Sequence, residues 1–163
     1  MPSPISKKKR GRPNNAPLGI LHILSGDLWA GAEVMTFNLV KGLSANENFR
    51  IIVVVLNEGQ VAEAMRIEGI DVYVLNERQS SLPSLLSSIR KILHEFQPSI
   101  IHSHRYKENV LACLASFTKR DVYLIATQHG MPETYGKQVT FKNRGIRWLN
   151  ALLLSRRFDC LVV

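Results

Sequence analysis

Cysteine is scarce in this sequence, and long apolar segments are missing. The two cysteines, Cys113 and Cys160, do not form a CxxC pair and belong to no His/Cys cluster with metal-ligand spacing. Uninterrupted apolar runs such as residues 51–56 fall far short of the roughly 20 residues that cross a bilayer. We therefore expect no membrane span, no metal site and a reducing compartment. A cytoplasmic location fits best, with peripheral contact to the inner membrane face left open.

Acidic residues are absent from the first 26 positions, so the net charge of +8 is unevenly distributed. Five of the 21 basic residues lie within residues 7–12, which leaves 16 basic against 13 acidic residues elsewhere. Residues 1–17 also contain four prolines and few large apolar side chains, so we predict a disordered basic tail. Residues 9–13 resemble the core of AT-hook peptides, which bind the DNA minor groove. The match is short, and nucleic acid is the least favoured partner.

Residues 18–163 are long enough for one domain and alternate between two patterns. Short apolar runs, most of them rich in β-branched residues, predict buried strands at 18–24, 49–56, 71–75, 99–102, 122–127 and 160–163. Amphipathic patterns between them predict helices at 32–44, 61–68, 82–96, 107–117 and 143–154. This alternation indicates an α/β fold, a Rossmann-like open parallel sheet with helices on both faces.

In such a sheet, ligands bind in the crevice beyond the carboxyl ends of the strands. The loop after the first predicted strand contains Gly26 and Gly31 and leads to a helix N-terminus, which attracts anions. Both glycines would let a phosphate or a sugar approach the main chain. The spacing is neither GxGxxG nor a P-loop, so the glycines could equally serve the backbone geometry of the turn.

Three histidines follow the fourth and fifth predicted strands. Strand alternation places His102 and His104 on the same side, and we expect His102 to be buried with a satisfied ring. His104 lies past the strand end, and His129 follows the fifth strand. We expect these two rings to emerge into one crevice, where an imidazole can bind sugar hydroxyls or shuttle a proton.

These residues carry a family resemblance. Segments 31–33, 102–104, 127–130 and 156–163, in this order after successive strands, resemble the N-terminal domain of family-4 glycosyltransferases. The resemblance covers about residues 18–163. One departure is Ala30, which occupies a place where the family usually has a glycine, and residues 27–29 lengthen the loop. Trp29 in this loop could stack on a sugar ring or cover the sheet edge.

The resemblance implies the N-terminal half of a GT-B architecture, in which two Rossmann-like domains face each other across a cleft. It implies retaining transfer from a nucleotide-diphosphate sugar donor to a glycan or lipid-linked acceptor, with no metal or other cofactor. By the family's pattern, His129 is catalytic, Gly31 is donor-binding and His104 is acceptor-binding. From their places in the loops beside the crevice, we add Gly26 and Gly130 as donor-binding and Arg105 and Tyr106 as acceptor-binding. The C-terminal donor-binding domain would be absent, so we expect the chain alone to be inactive.

Two alternatives remain open at this stage. The chain could be a non-catalytic or split subunit that docks a separate donor-binding chain. The basic helix predicted at 143–154 could lie in a membrane interface, although packing on the sheet with its arginines in water is favoured.

Overall fold

A computed structural model describes residues 16–26, 28–119, 121–128 and 151–163 of the chain. The elements within these residues alternate between strand and helix up to β5: β1 Leu18–Leu24, α1 Gly31–Ser44, β2 Phe49–Val55, α2 Gln60–Ile67, β3 Asp71–Val74, α3 Leu82–Phe96, β4 Ile100–Ser103, α4 Tyr106–Ala115, β5 Tyr123–Thr127 and β6 Cys160–Val162. Residues 151–157, just before β6, are also helical.

The six strands form one sheet in the order β3-β2-β1-β4-β5-β6, and every neighbouring pair is parallel. The chain builds outward from β1 to β2 and β3, then returns to place β4 on the other side of β1. The predicted fold class is therefore confirmed. The strand order reverses between β1 and β4, and this is where an open α/β sheet has its ligand crevice.

Side chains of β1 alternate between two cores, one on each face of the sheet. Leu21 and Ile23 pack in a cluster that includes Leu85 and Ile89 of α3. Ile20 and Leu24 pack on the opposite face, in a cluster that includes Val40 of α1 and Val61 of α2. Because both faces of β1 are covered by helices, its apolar run is continuous, as expected of a central parallel strand.

Helix α3 shows how local sequence sets its ends. Ser81 precedes the helix, and its hydroxyl accepts a hydrogen bond from the amide of Ser84. Gln97 follows the helix in the left-handed conformation with φ of 49°, and Pro98 prevents further helix. The chain then turns directly into β4.

Two predictions fall wholly or partly outside the described residues. The basic tail at residues 1–17 is described only from residue 16 onward, and the helix at 143–154 only from residue 151 onward. Both therefore stay predictions. In the described part of the chain, each helix is too short or too polar to cross a membrane.

Candidate active site

The candidate site lies where β1 and β4 end side by side. Helix α4 starts almost directly after β4, whereas a longer loop separates β1 from α1. A cavity of about 10 Å³, enough for about one water molecule, lies between them and is lined by Leu24, Ser25, Ala32, Glu33, Thr36, His104 and Arg105. The site therefore joins the first turn of α1 to the segment between β4 and α4.

An ion pair connects these two elements across the crevice. Arg105 Nη2 donates to Glu33 Oε1 at 2.6 Å. The Glu33 side chain is only 3% exposed, whereas that of Arg105 is 34% exposed. A buried carboxylate needs such a partner, because removing its charge from water is costly. The pair thus compensates the charge of the buried Glu33 and leaves the Arg105 side chain partly exposed to solvent.

Buried oxygen atoms without a hydrogen-bond partner gather at the same end of the sheet. Within the described residues they are Ser25 Oγ, Glu33 Oε2, Asn57 Oδ1 and Glu108 Oε2. All four residues follow strand ends or lie in the first turn of the next helix. We call them the strand-end oxygens. An unsatisfied buried polar atom costs about 1–3 kcal/mol, so donors supplied by water or by a ligand hydroxyl would stabilise this region.

Three histidine rings meet beneath this crevice. His22 of β1 is directly opposite His102 of β4, and their ring centroids are 5.0 Å apart. His104 lies 4.3 Å from His102 and 5.5 Å from His22 by the same measure. All three side chains are buried. We call this group the histidine cluster.

The structure confirms the prediction for His102. Its ring is buried, and Nε2 lies 2.7 Å from the hydroxyl oxygen of Thr127 at the end of β5. His102 and His104 also share one side of the sheet, as strand alternation predicted.

The expectation that the His104 ring emerges into the crevice is wrong. The residue does lie past the strand end, but it is only 3% exposed. Its Nδ1 is 3.2 Å from Thr36 Oγ1, and its Nε2 is 3.1 Å from His22 Nδ1. These two contacts draw the ring inward, under α1. An acceptor-binding role for His104 stays a prediction, and it would act from the base of the crevice.

The direction of these hydrogen bonds can be worked out from Thr36. Its hydroxyl donates its single proton to the carbonyl oxygen of Ala32 at 2.8 Å, so it must accept from His104 Nδ1–H. His104 Nε2 is then unprotonated and accepts from His22 Nδ1–H. The resulting chain ties the first turn of α1 to β1 and to the end of β4.

Burial shifts the pKa of two groups at the site. It lowers the pKa of His22 to about 3, with a smaller contribution from His102, so the His22 ring is neutral at physiological pH. It raises the pKa of Glu108 to about 7, against the opposing effects of a backbone hydrogen bond and of Arg105 and Lys107. Glu108 therefore exchanges a proton near neutrality.

The glycines that were predicted to bind the donor differ in their surroundings. Gly26 has φ of +80°, and a Cβ there would lie 2.6 Å from the backbone oxygen of Asn57. A side chain is therefore excluded for backbone reasons alone. A Cβ on Gly31, at the start of α1, would meet nothing within 4 Å among the described residues, which leave that surface open to a ligand.

The remaining predicted residues are only partly described. Tyr106 is exposed at the start of α4, beside Arg105. His129 and Gly130 lie outside the described residues, so their assignment stays a prediction. Sequence reasoning missed His22 and Ser25 as site residues. A histidine between Ile20 and Leu24 on one face of a buried strand was the available signal, because such a ring needs polar neighbours.

Comparison with known proteins adds a family assignment. A family model described as Glycosyltransferase Family 4 matches residues 29–163. A search of curated protein sequences finds no significant match.

Solved structures of similar fold include two kinds of enzyme. Anabaena Alr3699/HepE in complex with UDP and glucose is 20% identical with a TM-score of 0.67, and the match covers 87% of this chain and 37% of that one. A glycosyltransferase from Rickettsia africae is 19% identical with a TM-score of 0.64, covering 85% and 35%. The UDP-GlcNAc 2-epimerase from Neisseria meningitidis bound to UDP-GlcNAc is 17% identical with a TM-score of 0.59, covering 83% and 39%. This chain therefore spans less than two fifths of each, and at these identities the likeness shows the fold alone.

Proposed function

The chain belongs to glycosyltransferase family 4, and we propose that it forms the acceptor-binding half of a retaining glycosyltransferase with a nucleotide-diphosphate sugar as donor. Its partner in the reaction is a donor-binding domain, carried on the same polypeptide or on a second chain. The proposal applies to the crevice between β1 and β4, at the switch point of the sheet.

The arrangement of the strand-end oxygens is the observation that carries the acceptor assignment. They are acceptors for the most part, and Glu33 already has Arg105 as its counterion. A glycan or the sugar of a lipid-linked acceptor brings hydroxyl donors, and a hydroxyl that reaches the cavity, or a water held in it, can donate to Ser25 Oγ and Glu33 Oε2 on its wall. A diphosphate brings only acceptors and negative charge, so the strand-end oxygens do not suit it.

Donor binding is assigned chiefly to the partner domain. On this side, the open surface at Gly31 lies at the N-terminus of the 14-residue helix α1, where free amides can approach a phosphate. Gly26 and Gly130 are also assigned to donor binding, with Gly130 outside the described residues. The structure of Anabaena HepE with UDP and glucose supports a nucleotide sugar as donor for this fold.

His129 is the residue to which we assign contact with the transferred sugar near the reacting carbon. In the proposed reaction, the leaving phosphate assists attack by the acceptor from its own face, so neither a protein nucleophile nor a metal is required for transfer. The protein holds donor and acceptor in reacting geometry and stabilises charge on the phosphate. A cytoplasmic location with contact to the inner membrane face fits a lipid-linked acceptor.

Epimerisation of a nucleotide sugar is the second candidate, because UDP-GlcNAc 2-epimerases share the fold. A non-catalytic subunit that docks a donor-binding chain is the third. Family membership favours transfer over both. Transfer differs from epimerisation in requiring an acceptor, which we assign to the crevice beside Ser25 and Glu33.

The test compares residues 1–163 with the same chain joined to a donor-binding domain. We expect the chain alone to leave UDP-sugars intact and to bind methyl glycosides weakly, with NMR shifts at the amides of Ser25, Glu33 and Arg105. Glu33→Gln should weaken that binding, whereas Glu63→Gln on the exposed face of α2 should not. Turnover of a UDP-sugar by residues 1–163 alone, or equal glycoside binding by both variants, contradicts the proposal.

A further inference from the structure

We propose that the histidine cluster, made of His22, His102 and His104, binds one divalent transition-metal ion of the zinc type. One ring nitrogen from each residue lies within 4.8 Å of the other two, and all three residues are buried. The ion would link β1 to β4 beneath α1. Its role is structural, so the site is independent of the sugar transfer proposed above.

The spacing of the ring nitrogens is close to what such an ion requires. Zinc–nitrogen bonds of about 2.0–2.1 Å in a tetrahedral site place the nitrogens about 3.4 Å apart. His22 Nδ1 and His104 Nε2 are already 3.1 Å apart. The largest separation in the cluster, 4.8 Å, closes to this value with ring movements of about 1 Å.

The groups behind the rings hold them in the orientation that a ligand needs. Thr36 accepts from His104 Nδ1–H, which leaves the lone pair of Nε2 directed into the cluster. The Thr127 hydroxyl holds Nε2 of His102 at 2.7 Å. Hydrogen bonds from the outer ring nitrogen to a fixed oxygen are typical of metal-binding histidines, because they set the tautomer and the ring plane.

One ring nitrogen of the histidine cluster is buried without a partner among the described residues. His22 is fully buried, and its Nε2 has no hydrogen-bond partner within the described part of the chain. With Nδ1 as its ligand atom, a neutral His22 ring carries its one proton on Nε2, so coordination replaces the hydrogen bond to His104 and releases no proton. The ion would then join His22 to His104 and His102 by coordinate bonds, where the described residues show one hydrogen bond from His22 Nδ1 to His104.

The donor set selects the class of ion. Three imidazoles without a carboxylate favour zinc, cobalt, nickel or copper over magnesium and calcium, which prefer oxygen. A fourth ligand can be water, because the small cavity beside His104 has room for about one molecule. Ser25 Oγ and Glu33 Oε2 on its wall have no partner in the part of the chain that the structure describes, and they would accept hydrogen bonds from that water.

Metal titration of the untagged chain tests the site. Residues 1–163 are treated with a chelator and titrated with Co²⁺, whose visible absorption reports coordination, and then with Zn²⁺ in a calorimeter. We expect one ion per chain at micromolar concentrations, tetrahedral Co²⁺ bands that Zn²⁺ abolishes, and a higher melting temperature of the unmodified protein with Zn²⁺. The thermal shift requires no variant and so does not depend on whether a variant folds.

Two substitutions test the proposed ligands, and a third is a control. His22→Ala and His104→Ala should each lower the affinity by at least 10-fold. His94→Ala, which removes an exposed histidine of α3, should leave the affinity unchanged. The proposal is overturned if the unmodified chain binds no ion and shows no thermal shift at micromolar Zn²⁺, or if His94→Ala abolishes binding. Unchanged affinity in a folded His104→Ala would also overturn it.

Discussion

Glu108 illustrates how one buried side chain controls stability. It lies in the first turn of α4, where burial raises its pKa from 4.5 to about 7. Between these values the folded protein binds a proton that the unfolded chain releases, so stability falls as pH rises through this range. Above pH 7 the buried carboxylate is ionised, and the folded state then carries the full free-energy cost of removing that charge from water.

Glu108→Gln should therefore stabilise the protein at pH 8, by up to about 3 kcal/mol, and lose most of that advantage at pH 5. Urea denaturation at both pH values measures the difference. Glu63→Gln, on the exposed face of α2, is the control and should have a small effect at either pH. An equal effect of Glu108→Gln at pH 5 and pH 8 would refute the assignment of the shifted group.

The environment of a site residue could be predicted from the sequence only where neighbouring residues in the chain determine it. The burial of His102 followed from its position within an apolar strand. The pairing of Glu33 with Arg105 joins residues 72 positions apart, and His22 meets His104 across 82 positions. Such contacts depend on which strands become neighbours, which residue spacing alone does not reveal. The inward turn of His104 was missed for the same reason.

The loop after β1 requires a glycine at position 26. Gly26 has positive φ, and its Cα faces the backbone oxygen of Asn57 at the end of β2. A Cβ at this position would have to displace the main chain that follows β2. The loop is therefore fixed by sterics as well as by any ligand.

Gly26→Ala should destabilise the protein by about 2 kcal/mol or more, because both the conformation and the space exclude a side chain. Gly42→Ala is the matched control inside α1, where a Cβ meets nothing within 4 Å. It should raise stability by about 0.5–1 kcal/mol through helix propensity. Chemical denaturation measures the free energy of unfolding of both variants and of the parent protein. A Gly26→Ala protein as stable as the parent would contradict the steric account.

Elements were predicted to within a few residues. The strand expected at 99–102 is observed at Ile100–Ser103, and the helix expected at 107–117 at Tyr106–Ala115. Apolar runs identify strands well here because both sheet faces are covered. The ends of helices are less certain, since they depend on capping residues. Helix α1 begins after Ala30, which offers no side-chain cap, so its first residue had no local signal.

At the scale of the whole molecule, the basic tail is predicted to act by charge alone. Removing residues 1–17 should leave the melting temperature unchanged and abolish most attraction to polyanions, because five of the basic residues lie there. Binding to duplex DNA at increasing salt measures this attraction, which should fall steeply. A salt-resistant preference for A·T-rich DNA would instead favour the AT-hook alternative.

The central claim is that sugar transfer takes place in the crevice at the strand ends, and His129→Ala tests this claim most directly. The variant is made in the chain joined to its donor-binding domain, with His102→Ala as the structural comparison, and both turnover and melting temperature are measured. His102→Ala should lower the melting temperature, because it removes a buried, hydrogen-bonded ring. We predict that His129→Ala reduces sugar transfer on the order of 100-fold with a nearly unchanged melting temperature. Normal turnover by His129→Ala, or no transfer by the unmodified joined protein, would contradict the account.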